Sequence, residues 1–133
     1  MLLPEESNGI VVAYNYIESL DNPANKAFVA AWDKAQHRPP TIYASQGYDA
    51  ALAIGAALKG VAGKLDDLNA LRAAMLKADF QSTRGAFKFG SNQHPIQDWW
   101  ALKAEKTDGK LVIKTKGKVF SDHGDAYADG CKL

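Results

Sequence analysis

The stretch from Thr41 to Leu58, TIYASQGYDAALAIGAAL, constrains the fold more than any other part of the chain. Ser45, Gln46 and Asp49 fall at i, i+1 and i+4 and share one helical face. From Ala50 to Leu58 no side chain is polar. A surface helix keeps a wet stripe, whereas a helix apolar all round is enclosed on several sides. The pattern predicts a helix that starts beside something polar and runs into a packed interior. Gly47, Gly55 and the alanines allow neighbouring backbones to come close. Pro39 and Pro40 block helix upstream, so Thr41 and Ile42 are expected to be extended. The stretch reads as a crossing strand followed by a buried helix whose N-terminus faces a cleft. The plainer alternative is a core helix with a solvated first turn, and composition alone favours it.

Upstream, Ile10 to Ala13 is a continuous apolar run rich in β-branched residues. That is the pattern of a strand buried on both faces of a parallel sheet. Tyr14, Asn15 and Tyr16 follow at its C-terminal end, where open α/β sheets hold ligands. Asn22-Pro23 places an N-cap before a proline at the first helical position. The helix then runs to about Gln36, with Phe28, Val29 and Trp32 as its apolar stripe. A further helix, exposed, is expected from Asp66 or Asp67, with Leu68, Leu71 and Met75 on one face. Its dipole suits acids at the start and Lys77 at the end.

The remainder differs in kind. Gly85 to Phe89 alternates, Ser91 to His94 is a polar turn, and Asp98 to Ala104 is a strand. Trp99 and Trp100 are therefore expected on opposite faces. Asp108-Gly109 is a hairpin signal leading into Leu111 to Lys114. Lys118 to Phe120 suggests a short additional strand, and the acidic tail from Ser121 is expected to be mostly irregular. One parallel-type strand and one enclosed helix, beside short antiparallel strands, do not complete a parallel sheet. The chain therefore reads as a piece of a larger fold, or as one that completes its sheet with a second copy.

The 133 residues fit one modest domain, and a net charge of +1 points to neither nucleic acid nor an anionic membrane surface. No apolar run approaches the roughly 20 residues of a membrane span, and MLLPEES lacks the basic and apolar regions of a signal peptide. No nucleophile elbow, phosphate loop, HExxH or CxxC occurs, so an enzyme is the least favoured class. His37, His94 and His123 are scattered in turns and element ends. Asp122, His123, Asp125 and Asp129 match neither a calcium nor a zinc spacing. No cofactor is implied.

Four segments, NPANKAFVAAW, YASQGYDAALAIGAAL, TRGAFKFGSNQHPIQDWW and GKVFSDHGDAYADGCKL, occur in an order and spacing that resemble the substrate-binding proteins of branched-chain amino acid-type ABC transporters. The resemblance runs from about Gly9 to the C-terminus and is closest to members that bind aromatic acids. It covers only the C-terminal third or so of such a protein. It implies an α/β chain: a partial type I periplasmic-binding-protein fold, with pieces of both lobes and a C-terminal antiparallel hairpin region. Residues 1–40 would belong to the C-terminal lobe and 41–98 to the N-terminal lobe, with Thr41 and Ile42 as the second crossing. Residues 99–133 would supply the third crossing strand and the tail.

The implied function is solute binding for an importer in the periplasm, with an ABC permease as partner. The alternative is a truncated, self-associating remnant without ligand, and a sensor domain is a weaker third. In family members that bind branched-chain amino acids, an acidic residue before the glycine of the GIVV-type strand receives the ligand ammonium. Here that position is Asn8, which cannot charge-pair, so an aromatic or other organic acid is the better expectation. Tyr14, Tyr43 and Gln46 are the other cleft candidates. Cys131 is either a free thiol or bridged to a cysteine outside this sequence. An isolated chain is expected to dimerise through its uncovered apolar faces.

Overall fold

Side-chain caps fix where the helices begin. The computed structural model describes residues 4–131. After a single turn, α1 (Pro4–Ser7), and strand β1 (Val11–Tyr14), helix α2 spans Pro23–Gln36. Asn22 Oδ1 accepts the Asn25 N–H at 2.8 Å and Pro23 fills the first helical position, as the Asn-Pro pair predicts. His37 closes α2 in the left-handed region. Helix α3 spans Ile42–Gly60, and Thr41 Oγ1 accepts the Ala44 N–H at 3.3 Å. The expectation that Thr41 and Ile42 are both extended holds for Thr41 only. Proline restricts itself and the residue before it, not those after it, so a capping threonine can start the helix at once. Helix α4 (Leu68–Leu76) is capped by Asp67 and lies largely exposed, with Gly60 of α3 close to the Ala74 methyl.

The sheet is antiparallel. Strand β3 (Pro95–Thr107) is central. Along one edge it pairs with β2 (Phe87–Phe89) and then with β1, in the register Val11↔Lys103 to Tyr14↔Trp100. Along the other it pairs with β4 (Lys110–His123). The parallel, doubly buried setting expected for Ile10 to Ala13 is not what the structure holds. β1 has an antiparallel partner on one side only, and its four residues are all exposed. Asp108 and Gly109 both have positive φ, the two-residue turn that matches strand twist. The two short strands expected after it are one long strand, because Gly117 sits at a register shift rather than a break. Another register shift falls between Trp99 and Trp100, but its extra residue, Val119, is on β4, so alternation along β3 is kept: Trp100 packs on the core and Trp99, also half-buried, lines a separate cavity beside the tail.

The core joins Tyr16, Ile17, Leu20, Phe28 and Leu102, with Val29, Trp32, Ile42, Ala44 and Trp100 packed around them. Burial along α3 inverts the expectation. Ser45 and Asp49 are fully enclosed, while in the apolar half only Ala57 is buried and Ile54 is half exposed. The Ala51, Leu52 and Gly55 side of α3 lines an open groove of about 720 Å³ with Ala24, Tyr48 and Phe80.

On the β3–β4 hairpin, Glu105 receives Lys116 at 2.6 Å, Lys103 at 3.4 Å and Lys114 at 3.6 Å. The Lys116 ammonium, helped by Lys103, holds its carboxyl down at about 2 from an ordinary 4.5. A depressed carboxyl favours the fold above its unfolded pKa and loses that contribution as pH falls through the folded value. The hairpin should therefore keep this cluster above about pH 4.5 and lose it progressively towards pH 2. An NMR titration of the Glu105 side chain tests this, and a midpoint near the ordinary value would contradict it.

Candidate functional site

Of the four sequence candidates, Tyr14 ends β1, and Tyr43 and Gln46 lie in the first turns of α3. Tyr14 closes β1 opposite Trp100, which packs on the core. Ile42 and Ala44, flanking Tyr43, pack on the same cluster. The first turn of α3 and, through Trp100, the C-terminal end of β1 are thereby both tied to the core cluster. Tyr14, Tyr43 and Gln46 are all exposed, Tyr43 at 77%. Asn8 lies elsewhere. Its Oδ1 accepts the Lys106 N–H at 3.0 Å, beside the hairpin turn. Lys106 lies six residue steps along β3 from Trp100, so Asn8 and Tyr14 stand about 20 Å apart along the sheet.

Beneath α3 is a buried polar centre that sequence reading located only in part. Asp49 Oδ2 accepts the Ser82 hydroxyl at 2.5 Å and the Arg84 Nε–H at 2.9 Å. Its Oδ1 accepts the Thr83 N–H at 2.9 Å and the Thr83 hydroxyl at 3.1 Å. Since Thr83 donates its hydroxyl proton to Asp49, Ser45 must donate in the 2.6 Å contact between Ser45 and Thr83. Arg84 Nη1 donates to Gln97 Oε1 at 2.9 Å, which carries the network into β3, and its guanidinium lies 4.7 Å over Phe87. Asn22 Nδ2 donates to the Thr83 carbonyl and adds the start of α2. Tyr16 lies close enough to feel this charge. Burial first, then the Glu18 and Asp49 carboxylates, pushes its hydroxyl well above the usual range and keeps it neutral.

Sequence reading marked Ser45 and Asp49 as polar but set them facing a cleft. Ser82, Thr83 and Arg84 were missed because an STRG turn carries no signal of a distant carboxylate. The one clue was an acid and a serine four residues apart at the head of an otherwise apolar helix.

The tail makes a second, more open cluster. Asn92 Nδ2 donates to Asp125 Oδ2 at 2.7 Å, His94 Nδ1 lies 3.6 Å from the same oxygen, and His123 stacks on Phe120. Trp99, His94, His123 and Asp125 line a cavity of about 310 Å³. Among the described residues no three of His, Cys, Asp and Glu converge as metal ligands, and no helix is long and apolar enough to cross a membrane. Cys131 is exposed.

A profile of the periplasmic binding protein family matches residues 2–110. Among solved structures, the chain is similar to an ABC-transporter solute-binding protein from Rhodopseudomonas palustris in complex with benzoate, with 35% identity and a TM-score of 0.84 over 96% of this chain and 34% of that one. A second, from R. palustris BisB5 in complex with 3,4-dihydroxybenzoic acid, is 32% identical, with a TM-score of 0.79 over 92% of this chain and 33% of that one. A leucine-binding protein from Thermotoga maritima shares the fold at 20% identity, with a TM-score of 0.71 over 86% and 31%. No curated protein matches the chain. The chain spans about a third of the length of these solved relatives, so its fold is a partial one.

Removing the Asp49 carboxylate would strand the Arg84 charge, which is nearly enclosed. Asp49→Ala is expected to cost about 3–5 kcal/mol of unfolding free energy, and Asp49→Ala with Arg84→Met to recover part of that loss. Urea denaturation of both variants measures it. A single variant as stable as the parent would mean that the network does not hold the fold.

Proposed function

The chain belongs to the periplasmic binding protein family, and on that premise we propose that it forms part of the solute-binding component of an ABC importer for a small aromatic acid. The observation that carries this reading is the 35% identity, over 96% of the chain, to a protein solved with benzoate. The cleft edge in this reading is formed by Tyr14, Tyr43 and Gln46. Their exposed phenols and amide suit an aromatic ring and a carboxylate, through ring contacts and hydrogen bonds. Asn8, on the hairpin side, is left out of the cleft and given the task of fastening the chain before β1 to Lys106. The working location is the periplasm, the working partner is a permease, and the role is binding rather than catalysis.

Because the chain spans a third of its relatives, the test is a chimera in which it replaces the corresponding third of the benzoate-bound protein. Calorimetry should show benzoate binding by a cooperatively melting chimera, weakened about tenfold or more by Tyr43→Ala. A folded chimera that binds leucine and not benzoate would favour an amino acid solute. One that binds neither would favour the remnant reading.

The uncovered edge of β1 and the open flank of α3 support a further expectation for the chain alone. It should form a dimer at micromolar concentration with little solute affinity. Sedimentation equilibrium reporting a cooperative monomer would refute this.

A further inference from the structure

Whole-chain charge conceals how the lysines are arranged. The segment from Lys103 to Lys118 holds six lysines against only Glu105 and Asp108. Register sorts them further. Lys103 lies directly opposite Lys114, Glu105 opposite Val112, and Thr107 opposite Lys110. By strand alternation these residues share one face of the hairpin. Lys116 joins them through its contact with Glu105. The face thus sets Lys103, Lys114 and Lys116 around one carboxylate, with Lys110 further along towards the turn. The other face carries Leu102 and Ala104, which are buried.

Like charges directly opposite each other weaken a strand pair. Lysines on an exposed strand can be explained as protection against edge-to-edge pairing, and β4 is such a strand. Lys103 is not explained in this way, because it sits on central strand β3. Fold economy would remove the Lys103–Lys114 apposition, yet the chain retains it and a single acid holds three ammonium groups in fixed register.

We propose that this lysine face of the β3–β4 hairpin is a docking surface for an anionic lipid bilayer. The surface is a two-stranded ribbon on which Lys110, Lys114 and Lys116 are exposed and Lys103 half-exposed, with the cross-strand partner of Lys103, Val11, 60% exposed beside it. Lysines are hydrated point charges on flexible stems and lack the planar fork that fixes one carboxylate in a bidentate pair. They suit many interchangeable headgroups better than a discrete acidic side chain, in the manner of polybasic membrane segments. The inference is independent of the solute and of Tyr14, Tyr43 and Gln46.

The test is co-sedimentation of the 133-residue chain with phosphatidylglycerol–phosphatidylcholine vesicles and with phosphatidylcholine alone. Binding is expected to the anionic vesicles only, at low salt, and to vanish near 0.5 M salt as screening shortens to about 4–5 Å. Lys103→Gln with Lys114→Gln and Lys116→Gln should weaken it about 100-fold, and Lys116→Gln alone about fivefold. If the triple variant does not fold by circular dichroism, the single variant decides. Glu105→Gln should strengthen binding, since it removes the one acid on the face, whereas a merely structural role for Glu105 predicts no gain. No binding at low salt, equal binding to neutral vesicles, or unchanged binding by the folded lysine variants would overturn the proposal. Tighter binding to poly-glutamate than to the vesicles would also overturn it, by assigning the face to an acidic protein.

Discussion

The Asp49 carboxylate is the fixed point of this structure. A buried carboxylate is tolerated only when its charge is paired and its oxygens receive hydrogen bonds. Here four donors come from three consecutive residues, Ser82, Thr83 and Arg84. A loop cannot supply them without adopting one conformation, so the charge on α3 dictates the path of the chain more than 30 residues later. Arg84 then passes the constraint to Gln97, on the long strand around which the whole sheet is built. Burial of apolar surface supplies most of the driving force for folding. The carboxylate supplies specificity, because only one arrangement of helix, loop and strand leaves neither charge stranded.

Features encoded within a few residues were legible in the sequence, and those that join distant residues were not. Asn22-Pro23, Asp67 and Asp108-Gly109 each set an element boundary through a bond or a backbone preference closed within about four residues, and each appears where expected. The Asp49 network closes across 33 to 35 residues, and nothing near Asp49 announces its partners. The strand at Val11 was correctly placed but wrongly paired, since an apolar run reports on burial and not on the direction of a neighbour. The register shifts near Gly117 escaped because alternation assumes a regular ladder. For the proposed site, the tyrosines and Gln46 rest on their positions at element ends. That Asn8 stands at the other end of the sheet became evident only through its bond to Lys106.

The two faces of α3 connect this network with the candidate cleft. Ser45 and Asp49 are one helical turn apart and both point into the network, which fixes the rotation of the helix about its axis. At 3.6 residues per turn, Tyr43 then points well away from the anchored face, while Gln46 sits at its margin, about 60° from Asp49 and about 60° from Tyr43. The exposure of Tyr43 is therefore a geometric consequence of the bonds made by Ser45 and Asp49. It does not depend on the apolar residues further along, whose groove lies open. An amphipathic helix positioned only by hydrophobic contact can roll, because such contacts are non-directional. A helix held by a carboxylate with four donors cannot roll without stranding Arg84. The polar residues that would be poor choices for stabilising a core helix are thus the ones that hold its exposed phenol and amide in a fixed direction.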